Sequence, residues 1–258
     1  MENSCVLGYG MVGRATAQVF GIKKIFTRKQ EESTITLEEA AKCRFVFICL
    51  PTPIYKEGEY FLEDIRNIIK QIEGYGGGSI YVLRSTVFPG FAVALQKELG
   101  INRIISNPEF LSEATALQDA KNPPFVLIGG LEGVFRNEVK AFYEARLKGS
   151  PVILTDNTTA EMAKLAMNAY FATKVIFANQ LYDSCRQLGV NYETVKKALE
   201  SHPYGPKNHF TIWYKGKRGV NGSCLPKDMK AFAHYSNSDL IKKMIELNEN
   251  YIYIKDEN

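Results

Sequence analysis

Short apolar runs recur through the first 155 residues, at 4–7, 24–27, 45–50, 80–83, 103–105, 125–128 and 152–154. They are rich in β-branched and aromatic side chains and bounded by turn residues, the pattern of buried strands. Between them, 12–20, 62–73, 91–99 and 131–146 carry apolar residues at helical spacing. Strand alternating with helix predicts a parallel sheet covered on both faces. The pattern then changes. Residues 158–188 contain neither Gly nor Pro and read as one long helix, with Gly189 suited to close it. Its apolar residues, among them Met162, Leu165, Tyr170, Ile176, Phe177 and Leu181, cover more than one stripe. Such a helix must be buried from several sides, by a second copy of the chain or by its own later helices, expected at 193–200, 226–235 and 239–253. The expected architecture is an α/β sheet domain over 1–155, followed by an all-α domain over 156–258 built on one long central helix.

Composition narrows the class. Of 258 residues, 45% are hydrophobic and 23% charged, the balance of a folded globular chain. A net charge of +4 without clustered Lys and Arg argues against a nucleic-acid partner. No run approaches the roughly 18 apolar residues of a membrane span. Residues 1–4 lack a basic region with an apolar run behind it, so no leader peptide is expected. Cys5, Cys43, Cys49, Cys185 and Cys224 are odd in number and have no metal-like spacing, so free thiols, no metal and a cytoplasmic location are expected.

Gly8-Tyr9-Gly10-Met11-Val12-Gly13 follows the first strand and opens a helix. In this pattern the first glycine allows a tight turn, the second lets a pyrophosphate approach the backbone, and the third permits close helix–strand packing. The helix start supplies free N–H groups for phosphate. The expectation is a dinucleotide-binding domain over 1–155. The second strand should end in an acid for the adenosine ribose; here Arg28 stands near that place, and an arginine can meet a 2′-phosphate. A merely solvated strand end is the competing reading, and Glu31 or Glu32 would take the ribose if the turn shifts. Three further strand ends carry distinctive loops: Pro51-Thr52-Pro53, Ser85-Thr86-Val87-Phe88-Pro89-Gly90, and Asn107-Pro108-Glu109-Phe110-Leu111-Ser112-Glu113. In an open parallel sheet ligands bind at the carboxyl ends of strands, so these loops should share one rim with the glycine turn. Asn107 can cap a helix with Pro108 at its first position, which would set Glu109 and Glu113 on one helix face. Lys164 and Asn168, also four apart, interrupt the long helix; spacing alone favours a lysine snorkelling to water over one aimed into a site. In the segment 219–228 a glycine-bearing loop runs into Cys224, just ahead of a helix that Pro226 can start, with Lys227 nearby. Both features favour the thiolate, the reactive form, against the alternative of a small buried hydrophobe.

The order of these segments resembles the nucleotide-sugar dehydrogenases, the UDP-glucose 6-dehydrogenases most closely. The segments are GYGMVG (8–13), LPTPIY (50–55), RSTVFPG (84–90), NPEFLSEATALQD (107–119), AEMAKLAMNAYFATKVIFAN (160–179) and GSCLPKD (222–228). The resemblance implies NAD as cofactor and oxidation of a sugar primary alcohol in two steps to a carboxylate, with UDP-glucose to UDP-glucuronate as the expected conversion. It implies Cys224 as nucleophile, with Lys164 and Asp228 handling the alcohol proton. Lys164 and Asn168 would steady the oxyanion, Glu109 would act as hydrolytic base, and Thr86 would position water. For the cofactor it implies Gly8 to Gly13, Arg28, Pro51, Thr52, Ser85, Thr86, Glu113 and Lys227. For the nucleotide-sugar substrate it implies Phe110, Leu111, Glu113, Lys164, Asn168, Gly222 and Cys224. It also implies a homodimer through the long helix. The region 202–218, with Tyr204, Asn208, Phe210, Tyr214, Lys215, Lys217 and Arg218, corresponds to a substrate-holding region but matches it poorly; basic side chains there would meet a diphosphate or simply be solvated.

The sequence departs from that pattern in four places. Asn221 stands where the family has a first glycine. Arg28 replaces the ribose acid and leaves NADP open beside NAD. The stretch between the second strand and Pro51 is short enough to lack one strand and helix. The sequence runs only to Asn258, so the expectation is a short form without the further UDP-binding domain. Two rival functions stand beside the leading one: a short β-hydroxyacid-type dehydrogenase, which needs no thiolate, and a non-catalytic cofactor-binding relative.

Overall fold

A computed structural model describes residues 3–254. The chain divides into two compact units. One holds the residues up to Pro53 with 60–164; the other holds 54–59 with the residues from Leu165 on.

The first unit is a seven-stranded sheet in the order β2-β1-β3-β4-β5-β6-β7. Its strands are β1 (Ser4–Leu7), β2 (Lys24–Phe26), β3 (Phe45–Ile48), β4 (Ile80–Leu83), β5 (Ile104–Ser106), β6 (Val126–Gly129) and β7 (Val152–Thr155). β1, β3 and β4 are buried throughout, which is why they read as unbroken apolar runs rather than alternating ones. Successive side chains point to opposite faces. Val6, Phe45, Phe47, Ile80 and Val82 face one core, filled by Phe20 of α1 (Met11–Phe20) and by Phe142 and Tyr143 of α6 (Val134–Glu144). Tyr81 points the other way and donates to Glu73 on α3 (Glu63–Gly74) at 2.5 Å. The helices α4 (Phe91–Leu99) and α5 (Ala116–Lys121) complete this unit, together with the start of α7 (Asn157–Gln187).

Two expectations are corrected here. The sheet is not wholly parallel, since β6 pairs antiparallel to β5 through Ser106 and Gly129, and an apolar run carries no record of its direction. The helix expected from Asn107 is absent: the Asn107 carboxamide oxygen accepts from Arg84 and Tyr143 while its amide donates to Leu127 O, so it is not available as a cap. Glu109 and Glu113 therefore do not share a helix face, and the next helix starts at Ala116. The missing strand expected from the short stretch before Pro51 is borne out: among the described residues β2 alone lies outside β1, where the usual doubly wound order has two strands, and the return to β3 uses a short 3-10 turn and the five-residue α2 (Leu37–Ala41).

The second unit is helical. The rest of α7 packs Ala169, Ala172 and Ile176 against α9 (Leu225–Ser236) and α10 (Asp239–Glu249). Further along, Ala178 and Cys185 meet Tyr192 of α8 (Tyr192–Ser201) with Phe210 and Ile212. Burial on several sides thus comes from later segments of this chain, and Gly189 after the helix takes the left-handed φ of 67°. Among the described residues no helix is long and apolar enough to cross a membrane.

Candidate active site

The carboxyl ends of β1, β3, β4 and β5, four adjacent parallel strands, carry the four loops that the sequence singles out. At β1, Gly8 turns with φ +91°, and a Cβ there would strike the carbonyl of Cys49. Gly13 packs so closely that a Cβ would overlap the Gly8 carbonyl oxygen. Gly10 is the opposite case: it caps α1 with no side-chain hydrogen bond, is exposed, and a Cβ would meet nothing within 4 Å. The turn is thus drawn tight by its outer glycines and left open at its middle one. The first N–H groups of α1 have no side-chain cap there, the cradle that a pyrophosphate requires. Tyr9 is half-buried beneath the Arg14 guanidinium, 4.4 Å from its ring centre, and Met11 and Val12 begin the helix.

Around this turn, Thr52 is buried and Pro51 exposed. Ser85 is buried and donates to Leu50 O at 2.7 Å, tying the β4 loop to the β3 loop. Arg28 is exposed and paired with Asp64 at 2.6 Å. Of the two acids weighed beside it, Glu32 takes Arg14 at 2.8 Å, and Glu31 is exposed.

Glu109 and Lys164 form a buried ion pair at 3.1 Å, their side chains 8% and 7% exposed. Lys164 therefore does not snorkel. Its ammonium also lies 5.6 Å from the Phe110 ring centre. The second Glu109 oxygen accepts from Leu111 N at 2.6 Å, which fixes the carboxylate from its own loop. The Phe110 ring packs against Phe125, tilted by 53° with centres 4.9 Å apart. Thr86, Ser106, Pro108, Glu161 and Lys164 line one small pocket. Glu113 is exposed.

In the helical unit, Asp228 is buried in the first turn of α9. One oxygen accepts from Asn168 at 2.6 Å and the other from Lys227 at 2.5 Å. Cys224 is the residue that caps α9, its thiol free and exposed, with the Ser223 hydroxyl 3.5 Å away. Gly222 precedes it with φ +89°. The remaining four cysteines are buried. Arg218 is neither solvated nor open to a diphosphate: it is buried, paired with Asp183 at 2.8 Å, bonded to Asn179, and sandwiched by Tyr182 and Tyr251. Tyr204, Tyr214, Lys215 and Lys217 are exposed, Phe210 belongs to the core, and Asn208 accepts from Lys174.

Two residues carry more of the site than their sequence context indicates. Arg84 bridges the β4 and β5 loops through Asn107 at 2.6 Å. Glu161, which reads as one of the acids of the long helix's opening turns, accepts from the backbone of Gly90 and Ala92 and from the Ser106 hydroxyl. Burial pushes its carboxyl up to about 7, against the pull of those hydrogen bonds. No group of three or more His, Cys, Asp or Glu among the described residues is arranged to hold a metal.

A mostly parallel sheet with an open glycine turn at its rim, followed by a helical unit, is the layout of a dinucleotide-binding α/β protein. Residues 21–147 match the NAD binding domain of the UDP-glucose/GDP-mannose dehydrogenase family, and 158–250 match that family's central domain. The chain belongs to this family. A GDP-mannose 6-dehydrogenase of Pseudomonas savastanoi pv. phaseolicola is 31% identical over 237 residues, 84% of this chain and 52% of that protein. A UDP-glucose 6-dehydrogenase of Rickettsia conorii is 30% identical over 214 residues, 79% of this chain and 48% of that protein. The chain spans about half the length of these curated relatives. Among solved structures, a UDP-glucose dehydrogenase from Pyrobaculum islandicum superposes with a TM-score of 0.84 at 25% identity, over 97% of this chain and 68% of that one. The 3-hydroxyisobutyrate dehydrogenase of Mycobacterium tuberculosis shares the fold at a TM-score of 0.72 and 14% identity, over 97% of this chain and 94% of that one.

Proposed function

We propose that this chain oxidises the primary alcohol of a nucleotide sugar to the carboxylate, with UDP-glucose as first candidate and GDP-mannose, named for relatives at 30–31% identity against 28–30%, as second. The observation that carries the reading is the buried Lys164–Glu109 pair on the rim that the glycine turn shares. A cation held dry beside a carboxylate is costly to fold and suits a site where an alkoxide must be stabilised and a proton moved. NAD fits the unoccluded turn at Gly10, and Gly8 to Gly13, Thr52 and Ser85 would hold it; bound there, it supplies the hydride acceptor, once per oxidation. The Arg28 guanidinium already has a carboxylate partner in Asp64, which favours NAD over a cofactor with a 2′-phosphate.

The hydroxyl proton passes through a water to Asp228 while the Lys164 ammonium steadies the developing oxygen charge, as the carbinol hydride leaves, which gives the aldehyde. The Cys224 thiolate adds to that aldehyde carbon; the oxygen gains a proton and a thiohemiacetal forms, its oxyanion met by Lys164 and Asn168. Loss of the remaining hydride and the hydroxyl proton gives a thioester. Glu109 draws a proton from water, Thr86 orients that water, and its attack expels the thiolate. The sum is alcohol, two NAD and water going to carboxylate, two NADH and three protons. Phe110, Leu111 and Gly222 would contact the sugar, and Pro51, Glu113 and Lys227 the cofactor side. A smaller hydroxy acid needs one oxidation and no thiol, so the exposed Cys224 ahead of a helix start favours the four-electron reading over that fold-mate's chemistry. We also propose that the chain works as a homodimer through α7.

Purified protein should reduce NAD with UDP-glucose or GDP-mannose, two equivalents per acid formed. Cys224→Ala should bring acid formation below detection, and Lys164→Met should lower kcat by about 10²- to 10⁴-fold. Turnover of a simple hydroxy acid at one equivalent, unaffected by Cys224→Ala, would overturn the reading.

A further inference from the structure

Glu161 has no part in the reaction scheme, yet it is 3% exposed and fully engaged at the rim. It lies on α7 one turn before Lys164. One oxygen accepts from Gly90 N at 2.7 Å; the other accepts from Ala92 N at 3.1 Å and from the Ser106 hydroxyl at 2.8 Å. These donors come from two places. Gly90 and Ala92 are the cap and second residue of α4, where the loop carrying Ser85 and Thr86 ends. Ser106 ends β5, next to the loop carrying Glu109. Gly90 stands at φ +96° and gives α4 no side-chain cap, so the carboxylate of another helix does what a capping side chain normally does.

We infer that Glu161 is a positioning residue for the proposed oxidation: it clamps the start of α4 and the end of β5 to the turn of α7 that carries Lys164, and so holds Thr86 and Lys164 on one pocket. This rests on the functional reading above for its consequence in turnover, but not for the clamp itself. A carboxylate is the group the site requires, because three donors converge on two acceptor oxygens. An amide of the same shape turns an N–H toward one of them. Asn157, one turn earlier, secures the same helix to β5 through Ser106 N at 2.9 Å and Ile104 O at 3.1 Å. Removal of the Glu161 charge therefore frees the loop while α7 stays docked.

The test compares wild type with Glu161→Gln and with Ser106→Ala, which removes one donor only. Backbone hydrogen exchange at pH 8 should show protection of the Gly90 and Ala92 amides falling by about tenfold to a hundredfold in Glu161→Gln and less in Ser106→Ala, with the β1, β3 and β4 amides unchanged. In turnover, kcat should fall by a similar factor in Glu161→Gln with KM for NAD within about twofold. Unchanged protection at 90–92 overturns the clamp, as does loss of protection across the whole sheet, which would make Glu161 merely structural. Loosened amides with undiminished kcat overturn its role in positioning. A wild type that oxidises no nucleotide sugar defeats the functional reading instead, and the exchange result still decides the clamp.

Discussion

Glu161 also ties one residue to the pH dependence of the whole fold. Burial lifts its carboxyl from 4.5 to about 7, so the folded chain binds the proton more tightly than the unfolded chain does. As pH rises from about 4.5 to about 7 the unfolded state has released a proton that the folded state still keeps. Stability therefore falls across that window and levels off above it. At about 1.4 kcal/mol per pH unit, the loss amounts to about 3 kcal/mol. Denaturant titrations at pH 4.5 and 8 should show this difference between wild type and Glu161→Gln, which cannot titrate. An equal pH slope in both proteins would show that the buried carboxyl titrates normally. The glycine turn offers a second test at this scale. Gly13→Ala should cost about 1–3 kcal/mol through overpacking against Gly8 and Val6. Gly10→Ala meets no neighbour and should leave stability within about 0.5 kcal/mol while weakening NAD binding, because its methyl occupies the approach of the pyrophosphate. Calorimetry of both variants separates a cofactor turn from a plain one: undiminished NAD affinity in Gly10→Ala would remove the turn from the binding site.

At the scale of elements, α7 depends on its first residue. The Asn157 side chain meets Ser106 N, Ile104 O and Gln96 at once, all buried. Asn157→Ala leaves a buried N–H and C=O without partners and should cost about 2–4 kcal/mol, read as a lower denaturation midpoint at constant slope. The long helix itself was legible, since thirty-one residues without Gly or Pro have few alternatives. So were all seven strands, to within two residues, because buried runs bounded by turns are a strong pattern. Direction was not: β6 reads like any other strand, and only its partner reveals the reversal. The five-residue α2 went unread although its capping box, Thr36 with Glu39, is a local signal. The loop from Asn107 misled, because an Asn before a Pro is a good helix start until Arg84, Tyr143 and Leu127 claim its side chain. At the site, the glycine turn and the cysteine loop are contiguous in sequence and could be read. The burial of Lys164 could not, because its partner Glu109 is 55 positions away and helix spacing alone makes a lysine look solvated. Arg84 and Glu161 were hidden for the same reason.

At the scale of the whole molecule, one face of α7 keeps large aromatic side chains more than half exposed among the described residues. Tyr170 and Phe177 lie seven residues apart on that helix, two turns, and so share a face; they are 58% and 54% exposed. The opposite faces are already occupied by α9 and α10 and by α8. Large exposed aromatics on one helix face suit a two-fold contact, in which the same patch is used twice and each ring is buried by the partner's surface. Full burial of such a side chain is worth about 1.5–3 kcal/mol, so four half-exposed rings in a symmetric pair supply part of the free energy that offsets the entropy of pairing. The expected mass in solution is that of two chains. Tyr170→Glu with Phe177→Glu should give a single-chain mass by light scattering, with NAD affinity retained because the glycine turn lies in the other unit. A wild type that stays a single chain at micromolar concentration would leave these rings without the proposed role. A double variant that stays paired would move the contact elsewhere.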